Sequence, residues 1–244
     1  MSESRTQIRA EPGSKRVRVY LGGHLVADTL RPLLVWEKPH YPTYYLPEQD
    51  VRAQLDPTGD TRSSELLGVA ERYDVRIGGH LAPGAAGRYL DSPVAALRGN
   101  VRLDWAAMDA WFEEFEEDEE VFVHPRDPYK RVDALRSTRH VVVELDGHVL
   151  ADTRAPVILY ETGLPPRHYL PATDVRQELL VPSETVTHCP YKGSTVYYHV
   201  RVDEREEPDL AWSYPTPRVE ALPVAGFICF PAERTEVRVD GLLQ

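Results

Sequence analysis

The sequence predicts a mainly β protein made of two tandem copies of one small antiparallel domain, and three observations carry this. Residues 17–55 and 141–179 align without a gap at a constant offset of 124, with 18 of 39 positions identical. Within each copy, apolar and polar residues alternate on both sides of glycine-containing turns, the pattern of half-buried hairpins. Twenty-one prolines and fifteen glycines in 244 residues favour short strands and turns over long helices.

Taken in order, "VRVYLGGHLVADT" (17–29) reads as a hairpin, repeated in "VVVELDGHVLADT" (141–153). The continuous apolar runs "PLLVWE" (32–37) and "PVILYE" (156–161) read as strands buried on both faces. "YLPEQDV" (45–51) and "YLPATDV" (169–175) place a proline and then an aspartate where a turn is expected. "STVYYHVRV", "VAGFICF" and "EVRVDG" supply three further strands in the second copy, giving six or seven per copy.

In the first copy, "ERYDVRI" (71–77) matches "VYYHVRV" (196–202) at an offset of 125, which sets Tyr73 on Tyr198 and Gly68 on Gly193. The same register sets Ser64 on Cys189 and Leu67 on Lys192, so only the second copy carries the thiol and the amine. Residues 78–100 then read as an inserted Gly/Pro/Ala-rich loop. Trp105, Met108, Phe112 and Phe115 follow at helical spacing with Asp104 placed to cap them, predicting one amphipathic helix. Its end, Glu113–Glu120, has seven carboxylates in eight residues and reads as a solvated, acidic helix end. The expected domains are residues 1–136 and 137–244.

A net charge of −11 argues against nucleic acid or an anionic membrane as partner, because phosphate binding needs clustered Lys and Arg. No apolar run reaches the ~20 residues that span a bilayer, and the first residues lack the apolar core of a signal peptide. Two cysteines form no disulfide framework, so the expected setting is cytoplasmic, with reduced thiols. No C-x-x-C, H-E-x-x-H or phosphate-cradling glycine motif is present, and the sequence calls for no metal or cofactor.

The candidate site gathers on the second copy. Cys189 is a candidate nucleophile, with Lys192 three residues later as a cation that favours a thiolate. His188 and Cys189 would point to opposite faces of an extended segment, which weakens a direct dyad. The contrasting reading is a buried thiol acting as a small hydrophobe beside a glycine turn. Glu161 closes its buried strand, where a raised pKa would suit acid–base work, or where it pairs structurally with Lys192; Glu37 recurs at the same place in the first copy. Tyr169, His188, Tyr198, Trp212 and Tyr214 are the expected ligand-contacting side chains, the last two on a proline-flanked loop able to wall an apolar pocket.

The order "GHVLADT … LYETG … PPRHYLP … TDV … CPYKGSTVYY … AWSYP … FICF … VDG" resembles the domain-of-unknown-function family numbered 427, in its tandem actinobacterial form. The resemblance spans nearly the whole chain; the first copy departs from it by losing the Cys and Lys. It implies a small β-tent (Mss4-like) domain in which two antiparallel sheets meet around a pocket. The zinc of such folds does not carry over without paired C-x-x-C motifs. Members of this family are sometimes labelled nucleotidyltransferases, a chemistry that calls for an Asp-x-Asp pair this chain lacks.

Three functions remain open on the sequence. The leading one is binding of a small polar or anionic molecule in a pocket of the second copy, with the first copy as a degenerate packing partner. The others are acyl or thiol transfer at Cys189, assisted by Glu161 and Lys192, and a purely structural or interaction role.

Overall fold

The computed structural model describes residues 8–114, 119–121 and 123–244. The chain divides into two compact units, Met1–Asp127 and Pro128–Gln244. The junction therefore falls nine residues before the one expected from sequence. Val132–Arg136 lies on the far side of it because it pairs antiparallel with Val157–Glu161.

Each unit is built from a seven-stranded and a four-stranded antiparallel sheet among the described residues. In the second unit the large sheet runs, in spatial order, Val132–Arg136, Val157–Glu161, Arg167–Leu170, Ile228–Cys229, Arg205–Ser213, Gly193–Val202 and Leu180–Cys189. The small sheet runs His148–Thr153, Val141–Leu145, Glu236–Val239 and Leu242–Leu243. Eleven strands per unit exceed the six or seven expected because several are only two to four residues long.

The alternation of strand side chains gives the large sheet two different faces. Leu170, Val200, Leu210, Ala211 and Ile228 point one way and pack with Val141, Val143, Val237 and Val239. Their sequence neighbours Tyr169, Trp212 and Cys229 point the other way, where they join Val157, Leu159, Tyr214 and the 3-10 turn Val219–Val224. The second face carries the candidate site. A repeated lock holds the preceding turn in both copies: Thr29 donates to Asp50 Oδ2 at 2.7 Å, and Thr153 to Asp174 Oδ2 at 2.6 Å.

The first unit corrects three expectations. Over the described residues 103–114 no amphipathic helix forms: Trp105–Ala107 is a single 3-10 turn, and Ala110–Glu113 is a strand paired with Val17–Leu21. Trp111 faces Val19 across this ladder as Val237 faces Val143, so the segment is the first copy's version of "EVRVDG". The apolar spacing fits a helix, but the open edge of the strand Val17–Leu21 is satisfied by a strand. Asp104 caps nothing and instead pairs with Arg72 and Arg102.

The acidic run does not begin in solvent either. Glu113 is 3% exposed and takes hydrogen bonds from Tyr44 Oη (2.5 Å) and Lys15 Nζ. Phe115 and residues 116–118 lie outside the described residues. Residues 78–100 are no insertion: His80–Arg88 pairs with Gly68–Ile77 as Arg205–Ser213 pairs with Gly193–Val202. No helix among the described residues is long and apolar enough to cross a membrane.

Gly193 opens the strand of the "YYHVRV" run at φ +97°, and a Cβ there would lie 3.3 Å from the carbonyl oxygen of Thr216. Gly68 holds the same place at φ +89° in the first unit. Gly193→Ala should therefore cost about 1–3 kcal/mol, the scale of a residue forced into a sparsely populated backbone region. Urea unfolding of the variant checks this.

Candidate functional site

Glu161 sits at the end of its strand, 8% exposed, and receives two ammonium groups. Lys192 contacts Oε2, and Lys130 lies 3.2 Å from Oε1 with its Nζ 5.7 Å above the ring of Tyr191. Burial pushes the Glu161 carboxyl up, but the two lysines outweigh it and hold the group below the usual carboxylate range. Glu161 is thus an ionised anchor, which corrects the expectation of a raised pKa suited to acid–base work.

Tyr169 is 2% exposed, and its hydroxyl accepts a 3.1 Å hydrogen bond from Trp212 Nε1. Burial drives the Tyr169 and Tyr214 phenols well above their ordinary pKa, so both stay protonated. Trp212 lies on the strand Arg205–Ser213 rather than on a loop, directly opposite Tyr197, with ring centroids 6.4 Å apart. Arg167 lies 5.9 Å from the Trp212 ring while gripping Glu233 with two bonds of 2.7 and 2.8 Å. On the adjoining strands, Thr187 bonds both Thr195 Oγ1 (2.6 Å) and Tyr197 Oη (3.1 Å).

These groups surround a cavity of about 280 Å³. Glu161, Lys192, Tyr169, Trp212 and Tyr214 line it as a set, although they come from distant parts of the chain. Arg167, Tyr197 and Asp209 also line it, and sequence reasoning missed them. The available signal for Asp209 was its pairing with Gly84 at the offset of 125, a glycine replaced by a charged residue.

Three expected residues lie elsewhere. Tyr198 points to the opposite face and packs in the core between the sheets, since neighbouring strand residues alternate and Tyr197 takes the cavity side. His188 is exposed, with Nδ1 2.8 Å from Ser194 Oγ. Cys189 is half-buried where the chain turns toward Gly193, outside the cavity lining, and the other cysteine is fully buried. Burial pushes the Cys229 thiol up, away from a thiolate. Under native conditions Cys189 should therefore react with iodoacetamide while Cys229 stays protected until the second domain unfolds. Mass spectrometry of partly labelled chain reads the order directly.

The first unit furnishes the same place differently. Glu37 takes a 2.8 Å bond from Tyr45 Oη and a 3.1 Å contact from Arg102 Nε. Arg102 faces Tyr45 in the register where Cys229 faces Tyr169, so the cation comes from the opposite strand. Gly87 occupies the Trp212 position and Arg72 the Tyr197 position. A smaller cavity of about 210 Å³ in this unit is bordered by Glu37, Arg102, Arg62, Trp105 and the stacked pair Tyr41 and His124.

Residues 9–114 and 133–241 each match the family model described as a domain of unknown function, DUF427, and the chain belongs to that family in two tandem copies. No curated protein matches the chain.

Proposed function

We propose that this tandem DUF427 protein is a cytoplasmic bacterial protein that binds a small polar or anionic molecule in the cleft of its second domain. The observation that carries this reading is the buried Lys130–Glu161–Lys192 cluster, whose summed charge is positive and whose Lys192 end lines the cavity. Glu161 uses one of the three donors of the Lys192 ammonium and so holds it in place, leaving donors for a ligand anion. Trp212, Tyr197 and Tyr214 offer apolar faces beside it, the usual combination of a few polar groups in an apolar cleft. The cleft lies on the face of the large sheet turned away from the small one, so it is not the pocket between two sheets that a β-tent would imply. The first domain, with Leu67 in place of Lys192 and Gly87 in place of Trp212, does not bind the same molecule.

The test is thermal stabilisation of the full chain across a panel of acetate, malonate and inorganic phosphate. Stabilisation should persist in Cys189→Ser and disappear in Lys192→Ala and in Trp212→Ala. Loss in Cys189→Ser with retention in the other two would favour transfer chemistry at the thiol. A response unaffected by all three would place binding outside the cleft.

A further inference from the structure

The cavity of the first domain is cationic in a chain whose net charge is −11. Lys38, Arg62 and Arg102 border it beside a single carboxylate, Glu37. The counterparts of these cations in the second domain carry no positive charge. Arg62 faces Ala70 where Thr187 faces Thr195, and Lys38 aligns with Thr162 at the offset of 124. Arg102 takes the place of Cys229. Threonine therefore suffices for the fold at the positions of Lys38 and Arg62.

The nearby carboxylates are already matched, Glu37 by Arg102 and Asp104 by Arg72 and Arg102. Arg62 makes no ion pair or hydrogen bond among the described residues. Lys38 meets only Tyr41, its Nζ 3.5 Å from the hydroxyl and 5.7 Å from the ring centroid. Two positive charges at the cavity are thus left without a counter-charge among the described residues. Arg102 commits Nε to Glu37 and Nη1 to Asp104, while its Nη2 donates to nothing among the described residues and keeps surface open to solvent. Burial and Glu37 raise the Tyr89 phenol while Arg102 and Arg62 both pull it down, so the two guanidiniums lie within electrostatic reach of one hydroxyl.

The walls are flat rings. Trp105 is half-buried, stacked on the buried Trp111 with centroids 4.5 Å apart and planes 6° from parallel, and its remaining surface borders the cavity. Tyr41 and His124 border the same cavity as a second stack, 3.9 Å apart. Aromatic rings and arginine planes both favour a flat partner. We infer that the first domain has a binding site of its own for a single-ring aromatic dianion, held by Arg62, Lys38 and the free donors of Arg102 against Trp105. A cavity of about 210 Å³ is below the usual size of small-molecule sites, which suits one ring rather than a nucleotide or a large cofactor. The site is separate from the cleft of the second domain and does not rest on it.

The experiment titrates ¹⁵N-labelled full chain with isophthalate, benzoate and the aliphatic dianion glutarate, and follows the indole N–H of Trp105. Isophthalate should shift that signal in a saturable way and bind about tenfold or more tightly than benzoate, the scale of one further charge-assisted contact. Glutarate should leave it in place. The double variant Lys38→Thr/Arg62→Thr carries the second domain's residues, so it should fold normally, with the Trp36 and Trp111 signals undisturbed. It should weaken isophthalate at Trp105 about tenfold or more without changing any response of Trp212. A Trp105 signal that stays fixed, equal affinity for isophthalate and benzoate, an equal response to glutarate, or binding that survives the double variant overturns the inference. Trp105 and Trp212 report on different domains, so failure here and failure of the second-domain cleft are read separately.

Discussion

Glu161→Ala is expected to destabilise the second domain by about 3 kcal/mol, near the low end for removing one partner of a buried ion cluster. The variant leaves the Lys130 and Lys192 ammoniums, 19% and 14% exposed, facing each other with no carboxylate between them. Pulsed alkylation of Cys229 in a Cys189→Ser background reads the effect, because Cys229 is fully buried in that domain and opens only with it. The same cluster gives acid sensitivity of definite sign. The folded-state pKa of Glu161 lies below its unfolded value of about 4.3. Its contribution is thus complete above that value and is lost as pH falls through the folded pKa. Glu161→Gln should flatten that limb of the stability profile, and an unchanged limb would show that the lysines do not hold the charge.

Arg102→Leu should cost the first domain a similar amount, about 3 kcal/mol. Its guanidinium, 20% exposed, pairs with Glu37 and with Asp104. Asp104 keeps Arg72 at 3.0 Å after the change, but among the described residues Glu37 keeps the Tyr45 hydroxyl and loses its cation. The double variant Arg102→Leu/Glu37→Leu should recover more than half of the loss, since a buried pair can be replaced by apolar volume at little cost. Trp36, Trp105 and Trp111 all lie in the first domain, so intrinsic fluorescence follows its unfolding. A neutral single variant would mean that Glu37 finds water or another cation when Arg102 is removed.

The duplication was plain in the sequence, and with it the β character, the recurring Glu37 and Glu161, and the recurring Tyr45 and Tyr169. Those features depend on local pattern and on comparing one half of the chain with the other. The errors lie where a long-range partner decides. Trp105, Met108 and Phe112 have helical spacing, yet Trp105 lies in a 3-10 turn and the edge of Val17–Leu21 makes Ala110–Glu113 a strand. Glu113 belongs to a run of carboxylates, yet Lys15, 98 residues away, and Tyr44 bring it inside. Tyr197 and Tyr198 are equally plausible from composition, and only strand register chooses between them. Residues 78–100 lost their likeness to the second copy through substitution while keeping its pairing, which made a strand resemble an insertion.

The contrast between the domains also reshapes the question of Cys189 and Lys192. Both are absent from the first copy, and in the second they have different surroundings. Lys192 turns toward Glu161 and the cavity, while Cys189 stays outside it. The first domain meets the same structural need for a cation beside its glutamate with Arg102, from a strand that carries Cys229 in the second. Moving the cation to Lys192 leaves Cys229, a much smaller side chain, at the position Arg102 occupies, and Trp212 and Tyr197 replace Gly87 and Arg72.

Trp212 is the single tryptophan of the second domain, and its indole N–H reports on the cleft through one resolved resonance. Titrating ¹⁵N-labelled full chain with small carboxylates and amino acids tests the binding function most directly. The Trp212 signal should shift in a saturable way while those of Trp36, Trp105 and Trp111 stay in place, and the shift should vanish in Lys192→Ala. A Trp212 signal that stays fixed, or one that moves identically with and without Lys192, would contradict it.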